Sequence, residues 1–255
     1  MAQDLRLQTA TVGGRAAAID EGLRAYMNKV YGLMSVGMLI TGLAAWAIAG
    51  LATSAEPTPW VVGGRYLSQL GHAIYMSPLK WVIMFAPLLV VFAFGAALNR
   101  LSVAGATLVF YLFATLMGLS ISWIFMAYTT VSIIQTFFVT AIAFASLSIY
   151  GYVTKRDLSG FGTFLMMGVV GLIVASLINL FLQSSAMQFV ISVLGVLIFA
   201  GLTAYDTQRI KNTYLQLAQS DADFLGKSAI MGALQLYLDF LNLFMFLLQF
   251  LGNRE

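Results

Sequence analysis

The chain has 255 residues, of which 60% are hydrophobic and 9% charged, with a net charge of +3 and no cysteine. A soluble domain carries about 25% charged residues, so this one could not cover its own surface in water and is read as an all-α polytopic membrane protein. Scattered basic residues and the small net charge exclude nucleic-acid binding, and zero cysteines with a single histidine, His72, exclude disulfides, thiolate chemistry and zinc or iron centres.

Residues 1–29 form a polar N-terminal tail holding Asp4, Arg6, Arg15, Asp20, Glu21, Arg24 and Lys29. No apolar run lies close enough to the start for a cleavable signal peptide. The first run, Val30–Leu51, is therefore expected to be a retained span. Six further apolar runs follow, Trp81–Leu98, Val103–Ala127, Ile133–Val153, Phe161–Leu182, Met187–Ile210 and Ala229–Leu251, leaving a short tail at 252–255. They form one transmembrane domain over 30–251. Two connections are long: Ala52–Lys80, irregular and rich in Pro and Gly, and Lys211–Ser228, polar and helical in character. His72, in the first of these, is expected to be solvated.

Seven spans put the N-terminal tail on the same side as the second, fourth and sixth connections. That side holds Arg6, Arg15, Arg24, Lys29, Arg100, Lys155, Arg156, Arg209, Lys211 and Lys227; the other holds Arg65, Lys80 and Arg254. The excess places the N-terminus in the cytoplasm and the C-terminus outside. A six-span arrangement, with the last run re-entrant, is the alternative, although that run is long enough to cross.

Ionisable residues inside spans face a cavity or a partner. Spans one to five contain none; span six holds Asp206, with Arg209 one turn on, and span seven holds Asp239. Along span seven, Ser228, Gln235, Asp239, Asn242 and Gln249 share one helical face. Such a stripe is unfavourable against lipid and is expected inside the bundle or along a water-filled path. Ser176, Asn179 and Gln183 make a shorter stripe on span five, where hydrogen bonding between helices is the simpler explanation. The glycines Gly168, Gly171, Gly195 and Gly201 are read as close-packing contacts.

Asp206 lies near the end of its apolar run and Asp239 in the middle of its own. The two meet most easily if helix six continues to about Tyr214, and Arg209–Gln219 has no Pro or Gly to prevent it. A pair reached from the cytoplasmic side follows. Two carboxylates in contact share one proton, which makes the pair responsive to pH. With amide neighbours such as Gln235, Asn242 and Asn179 they offer Ca²⁺ a weak or transient site. Arg100 and Arg209 are the candidate counter-ions. No resident cofactor is expected.

At these residues the chain resembles a known family. The stretch Gly201–Lys211, Gly-Leu-Thr-Ala-Tyr-Asp-Thr-Gln-Arg-Ile-Lys, and the stretch Leu236–Phe244, Leu-Tyr-Leu-Asp-Phe-Leu-Asn-Leu-Phe, look like the Bax inhibitor-1 family and its bacterial YccA-like branch. Leu23–Tyr31, leading into span one, fits as well. The resemblance implies a seven-helix bundle with the seventh helix central, in a bacterial inner membrane. It further implies a pH-sensitive Ca²⁺ leak in which Asp206 pairs with Asp239, with Arg100 matching by position a helix-two arginine that engages the closed pair. Some bacterial members are regulators of a membrane protease, so a non-conducting regulator that binds another membrane protein is the alternative. An intramembrane aspartyl protease, and with it enzyme activity, is disfavoured: the seventh span lacks Gly-x-Gly-Asp, and no Pro-Ala-Leu follows.

Overall fold

Without water to satisfy them, backbone amides in a bilayer must pair within their own segment, and the apolar runs accordingly form helices. The computed structural model describes residues 2–218 and 221–253, with side chains for 19–98, 100–218 and 221–253. Arg6, Arg15 and Arg254, counted in the charge asymmetry, have side chains outside this set.

Among the described residues seven helices are long and apolar enough to cross a membrane. They are α1 (Ala2–Ala52), α2 (Leu79–Ala97), α3 (Val103–Ile121), α4 (Thr130–Val153), α5 (Ser159–Leu182), α6 (Ser185–Leu217) and α7 (Ala222–Leu251). The third span is completed by a short helix, Ile124–Ala127, after a break at Ser122. Side-chain caps start several of these helices: Ser102, Thr129 and Ser184 each accept an N–H from the first turn. Gln183, in the left-handed region at φ 48°, ends α5.

Most span boundaries fall within a few residues of the hydropathy reading. The exceptions are helices that run past the apolar segment. α1 is continuous from Ala2, so the tail and first span are one helix, α6 continues to Leu217, and α7 begins at Ala222. None of these polar extensions carries an apolar signal, but nothing in Arg209–Leu217 breaks the hydrogen-bond ladder.

Helix α7 is the axis of the bundle. It contacts α1, α3, α4 and α6, and 67% of its apolar window is buried, against 11% in α2 and in α5. The last two are peripheral; α2 leans on α3 and α5 on α6. One end of the bundle holds Arg100, Lys155, Arg156 and Lys227 and is called the basic end. The other holds the 53–78 loop and the C-terminus, where the Thr129 N–H donates to the Asn253 carbonyl and the Asn253 N–H to Ser132 Oγ.

Two crossings require glycine because helix backbones touch. A Cβ at Gly118 would meet the Thr41 carbonyl and Ala44 of α1, and one at Gly151 would meet the Ala204 carbonyl of α6. Gly151→Leu should therefore destabilise the protein by about 1–3 kcal/mol, the usual range for overpacking, read as a lower Tm in detergent. Gly168, Gly195 and Gly201 face Ile198, Phe246 and Leu165, as expected of packing contacts, whereas Gly171 has no neighbour within 4 Å.

The 53–78 loop is more ordered than its composition suggests. Strands β1 (Val61–Val62) and β2 (Arg65–Tyr66) make a hairpin, Leu67 is fully buried, and Ser68 Oγ donates to the Leu51 carbonyl at 2.7 Å. His72 is half-buried and stacked on Trp60, with ring centroids 4.5 Å apart, rather than solvated. At the α4–α5 turn, Asp157 Oδ1 accepts the Ser159 N–H at 2.9 Å. That bond and one from the Ser159 side chain hold the Asp157 carboxyl below its ordinary range.

Candidate functional site

The Tyr-Asp step of α6 and the Tyr-Leu-Asp step of α7 turn their carboxyls toward each other across the α6–α7 contact. Asp206 and Asp239 are 8% and 5% exposed, and their carboxyls lie close enough to interact directly. Ionised carboxylates only accept, so two of them cannot hydrogen-bond to each other unless one is protonated. Asp239 Oδ2 is buried without a hydrogen-bond partner among the described residues, a costly state for an ionised carboxylate. Extension of α6 past Tyr214 is what allows the pair to form. Asp206 lies nearer the Leu217 end of its helix than the Ser185 end, in the half of α6 toward the basic end.

The counter-ion candidates separate. Arg209 Nη1 stands 4.0 Å from Asp206 Oδ1, with the arginine side chain 57% exposed. An i,i+3 pair so exposed contributes little. Arg100 sits in the turn after α2, exposed, and makes no ion pair with either aspartate among the described residues. Asp239 thus lies deep in the bundle with no cationic partner among the described residues.

The polar stripe of α7 does face the interior, but its members have different partners and do not form one path. Near the basic end, Ser228 Oγ pairs with Tyr26 OH at 2.9 Å. Asn242 Nδ2 donates to the Leu238 carbonyl of its own helix at 2.8 Å, and Gln235 is half-buried with no hydrogen bond to a described residue. Gln249 belongs to a cluster at the opposite end. There Asn179 Nδ2 donates to Gln188 Oε1 (3.1 Å), Gln188 Nε2 to Gln249 Oε1 (2.7 Å), and Asn179 Oδ1 accepts the Ser184 N–H (3.0 Å). Asn179 is therefore remote from the aspartates and ties α5, α6 and α7 together. Ser176 and Gln183, its companions in the α5 stripe, are exposed.

This amide chain lines a cleft of about 600 Å³. Gln188→Leu should cost about 1 kcal/mol, the scale of hydrogen bonds between membrane helices, as a modest loss of Tm without loss of the aspartate contact.

Two polar groups matter that the hydropathy reading passed over. Tyr237, two residues before Asp239, is fully buried, and its hydroxyl pairs with Thr41 Oγ1 at 2.7 Å. Gln208, two residues from Asp206, ties α6 to the α4–α5 turn by accepting the Leu158 N–H and donating to the Arg156 carbonyl, each at 2.8 Å. A tyrosine and an amide flanking the only carboxylates in the spans were the available signals. Among the described residues no group of three or more His, Asp or Glu is placed to hold a metal ion. An ion at this site would have two carboxylates as its charged ligands.

A family model described as "Inhibitor of apoptosis-promoting Bax1" matches residues 23–255. An uncharacterised protein of Rickettsia prowazekii is 40% identical over 97% of this chain and 98% of its own length. One of Caulobacter vibrioides is 44% identical over 93% and 92%. The Escherichia coli K12 protein named inner membrane protein YbhL is 43% identical over 92% of this chain and 94% of its own. Both aspartate-bearing helices and the α1 segment from Leu23 lie inside the matched region, and with seven membrane-spanning helices around a central α7 the chain is an integral membrane protein that belongs to the Bax inhibitor-1 family.

Proposed function

We propose that the protein is a pH-sensitive cation leak, with Ca²⁺ as the permeant ion and the Asp206–Asp239 pair as its gate. The observation that supports this most is the juxtaposition of two carboxyls buried at the joint of α6 and the central helix, an arrangement that favours a shared proton. Loss of that proton leaves two like charges in contact in a medium of low dielectric constant, which drives the carboxyls apart. Separation loosens α6 from α7 and leaves two anionic ligands for a hard cation. Two carboxylates hold Ca²⁺ only weakly, as passage requires. The gate closes as pH falls and the shared proton returns.

The excess of Lys and Arg at the basic end supports a cytoplasmic N-terminus and an external C-terminus. By analogy with the relative named an inner membrane protein, the membrane is a bacterial inner membrane. No enzymatic step is assigned to the aspartates.

The second reading is a regulator of another membrane protein that does not conduct. The broad exposed faces of α2 and α5 favour it, since each leans on one neighbour and leaves the rest to lipid or a partner. Ca²⁺ flux into proteoliposomes separates the two. Flux that rises from about pH 6 to about pH 8, bracketing neutrality where a shared carboxyl proton can titrate, supports the gate. No flux above that of empty vesicles at any pH would leave the regulator.

A further inference from the structure

Helices α1 and α4 meet where Tyr31 OH pairs with Ser148 Oγ at 2.7 Å but do not close on each other along the rest of their length. Between them lies a cavity of about 790 Å³, within the range of about 300–1,000 Å³ usual for ligand sites. Its chemistry changes along its length. At the basic end the mouth is formed by Arg24, Asn28 and Tyr152. Deeper in, the walls are Met34, Leu39 and Phe144, and Phe240 of α7 is part of the lining. A second, apolar cavity of about 310 Å³ shares Met38, Phe137 and Phe240 with it and continues toward the opposite end.

We infer that this groove holds an anionic phospholipid, its headgroup at the mouth and one acyl chain along the cleft. Three observations carry this. First, Arg24 is exposed and makes no ion pair with a described residue, although Asp20 and Glu21 lie one turn before it. Second, Lys211, though not itself in the lining, brings another cation beside the mouth residue Tyr152. Its Nζ donates to the Tyr152 carbonyl at 2.7 Å and lies 5.4 Å from the Tyr152 ring centre, with further N–H donors to spare. Basic pockets between spans at a membrane surface suit anionic headgroups. Third, below the mouth the α1 wall from Tyr31 to Leu39 covers roughly 12 Å of helix rise, most of the roughly 15 Å of hydrocarbon in one leaflet. A partner helix would need no charge confined to one end. The inference stands whether or not the aspartate pair conducts.

The test uses purified full-length protein in mild detergent, with phosphatidylglycerol or phosphatidylcholine added and Tm measured. Phosphatidylglycerol should raise Tm progressively, as expected of a ligand that binds the folded state, with a much smaller rise from phosphatidylcholine. The pair Arg24→Gln and Lys211→Gln should erase that difference, each shift being measured from the variant's own Tm without added lipid. Arg24→Lys should keep the difference. Ala145→Phe, placed in the groove wall, should lose the response to both lipids. Equal shifts from the two lipids in the native protein would overturn the inference, and this comparison needs no variant to fold. Efficient disulfide-linked dimers of Ala145→Cys in membranes would overturn it too, by assigning the groove to a second copy.

Discussion

Replacing Asp239 with asparagine should leave Ca²⁺ flux low and nearly independent of pH. The side chain keeps its size and can still hydrogen-bond to Asp206, but it can no longer become the second charge. Without like-charge repulsion nothing pushes α6 from α7 as pH rises. If the repulsion contributes as little as about 1.4 kcal/mol to opening, its loss lowers the open population about tenfold where opening is rare. Asp206→Asn should act in the same direction. Arg209→Gln should have a smaller effect, because that side chain is mostly solvated and 4.0 Å from its partner. Equal flux from the native protein and Asp239→Asn across the pH range would refute the gate.

Tyr237→Ala should be the most destabilising single change in the bundle. The ring is fully buried and packed edge-on against Phe110 and Phe113 of α3, at centroid distances of 5.8 and 5.6 Å. Its hydroxyl meets Thr41 Oγ1 of α1, which also approaches the Ala114 carbonyl of α3 at 2.8 Å. One side chain thus joins three helices. Lipid offers little hydrophobic drive between helices, so such packing is what holds them. Truncation of a large buried aromatic costs about 3–5 kcal/mol. Tyr237→Phe keeps the ring and should cost only about 0.6 kcal/mol, the average for a hydrogen bond between membrane helices. Thermal unfolding in detergent distinguishes the two. A Phe variant as unstable as the Ala variant would assign the stability to the hydroxyl instead of the ring.

The spans were legible because an apolar run of about 20 residues has few other uses, and the aspartates because charge is so scarce within them. The same reading could not locate the ends of α1, α6 and α7. Those ends continue into water, where helix formation leaves no apolar trace. The stripe on α7 was visible as a pattern, but its partners were not. Ser228 meets Tyr26 and Gln249 meets Gln188, contacts set by how helices far apart in sequence pack. Asn179 illustrates the limit: its type suggested a hydrogen bond between helices, which it makes, but not that the bond lies at the end remote from the aspartates. Tyr237 passed as one more aromatic in an apolar run. The α1–α4 groove is the least legible feature of all, since a gap between two helices that meet only in part belongs to neither sequence alone.

Infrared difference spectroscopy of the reconstituted protein during a pH titration addresses the shared proton most directly. The native protein should show the band of a protonated carboxyl near neutral pH. That band should fade as pH rises, in step with the increase in Ca²⁺ flux, and Asp239→Asn should lack this transition. A native spectrum without any protonated carboxyl band, or one unchanged by Asp239→Asn, would contradict the account.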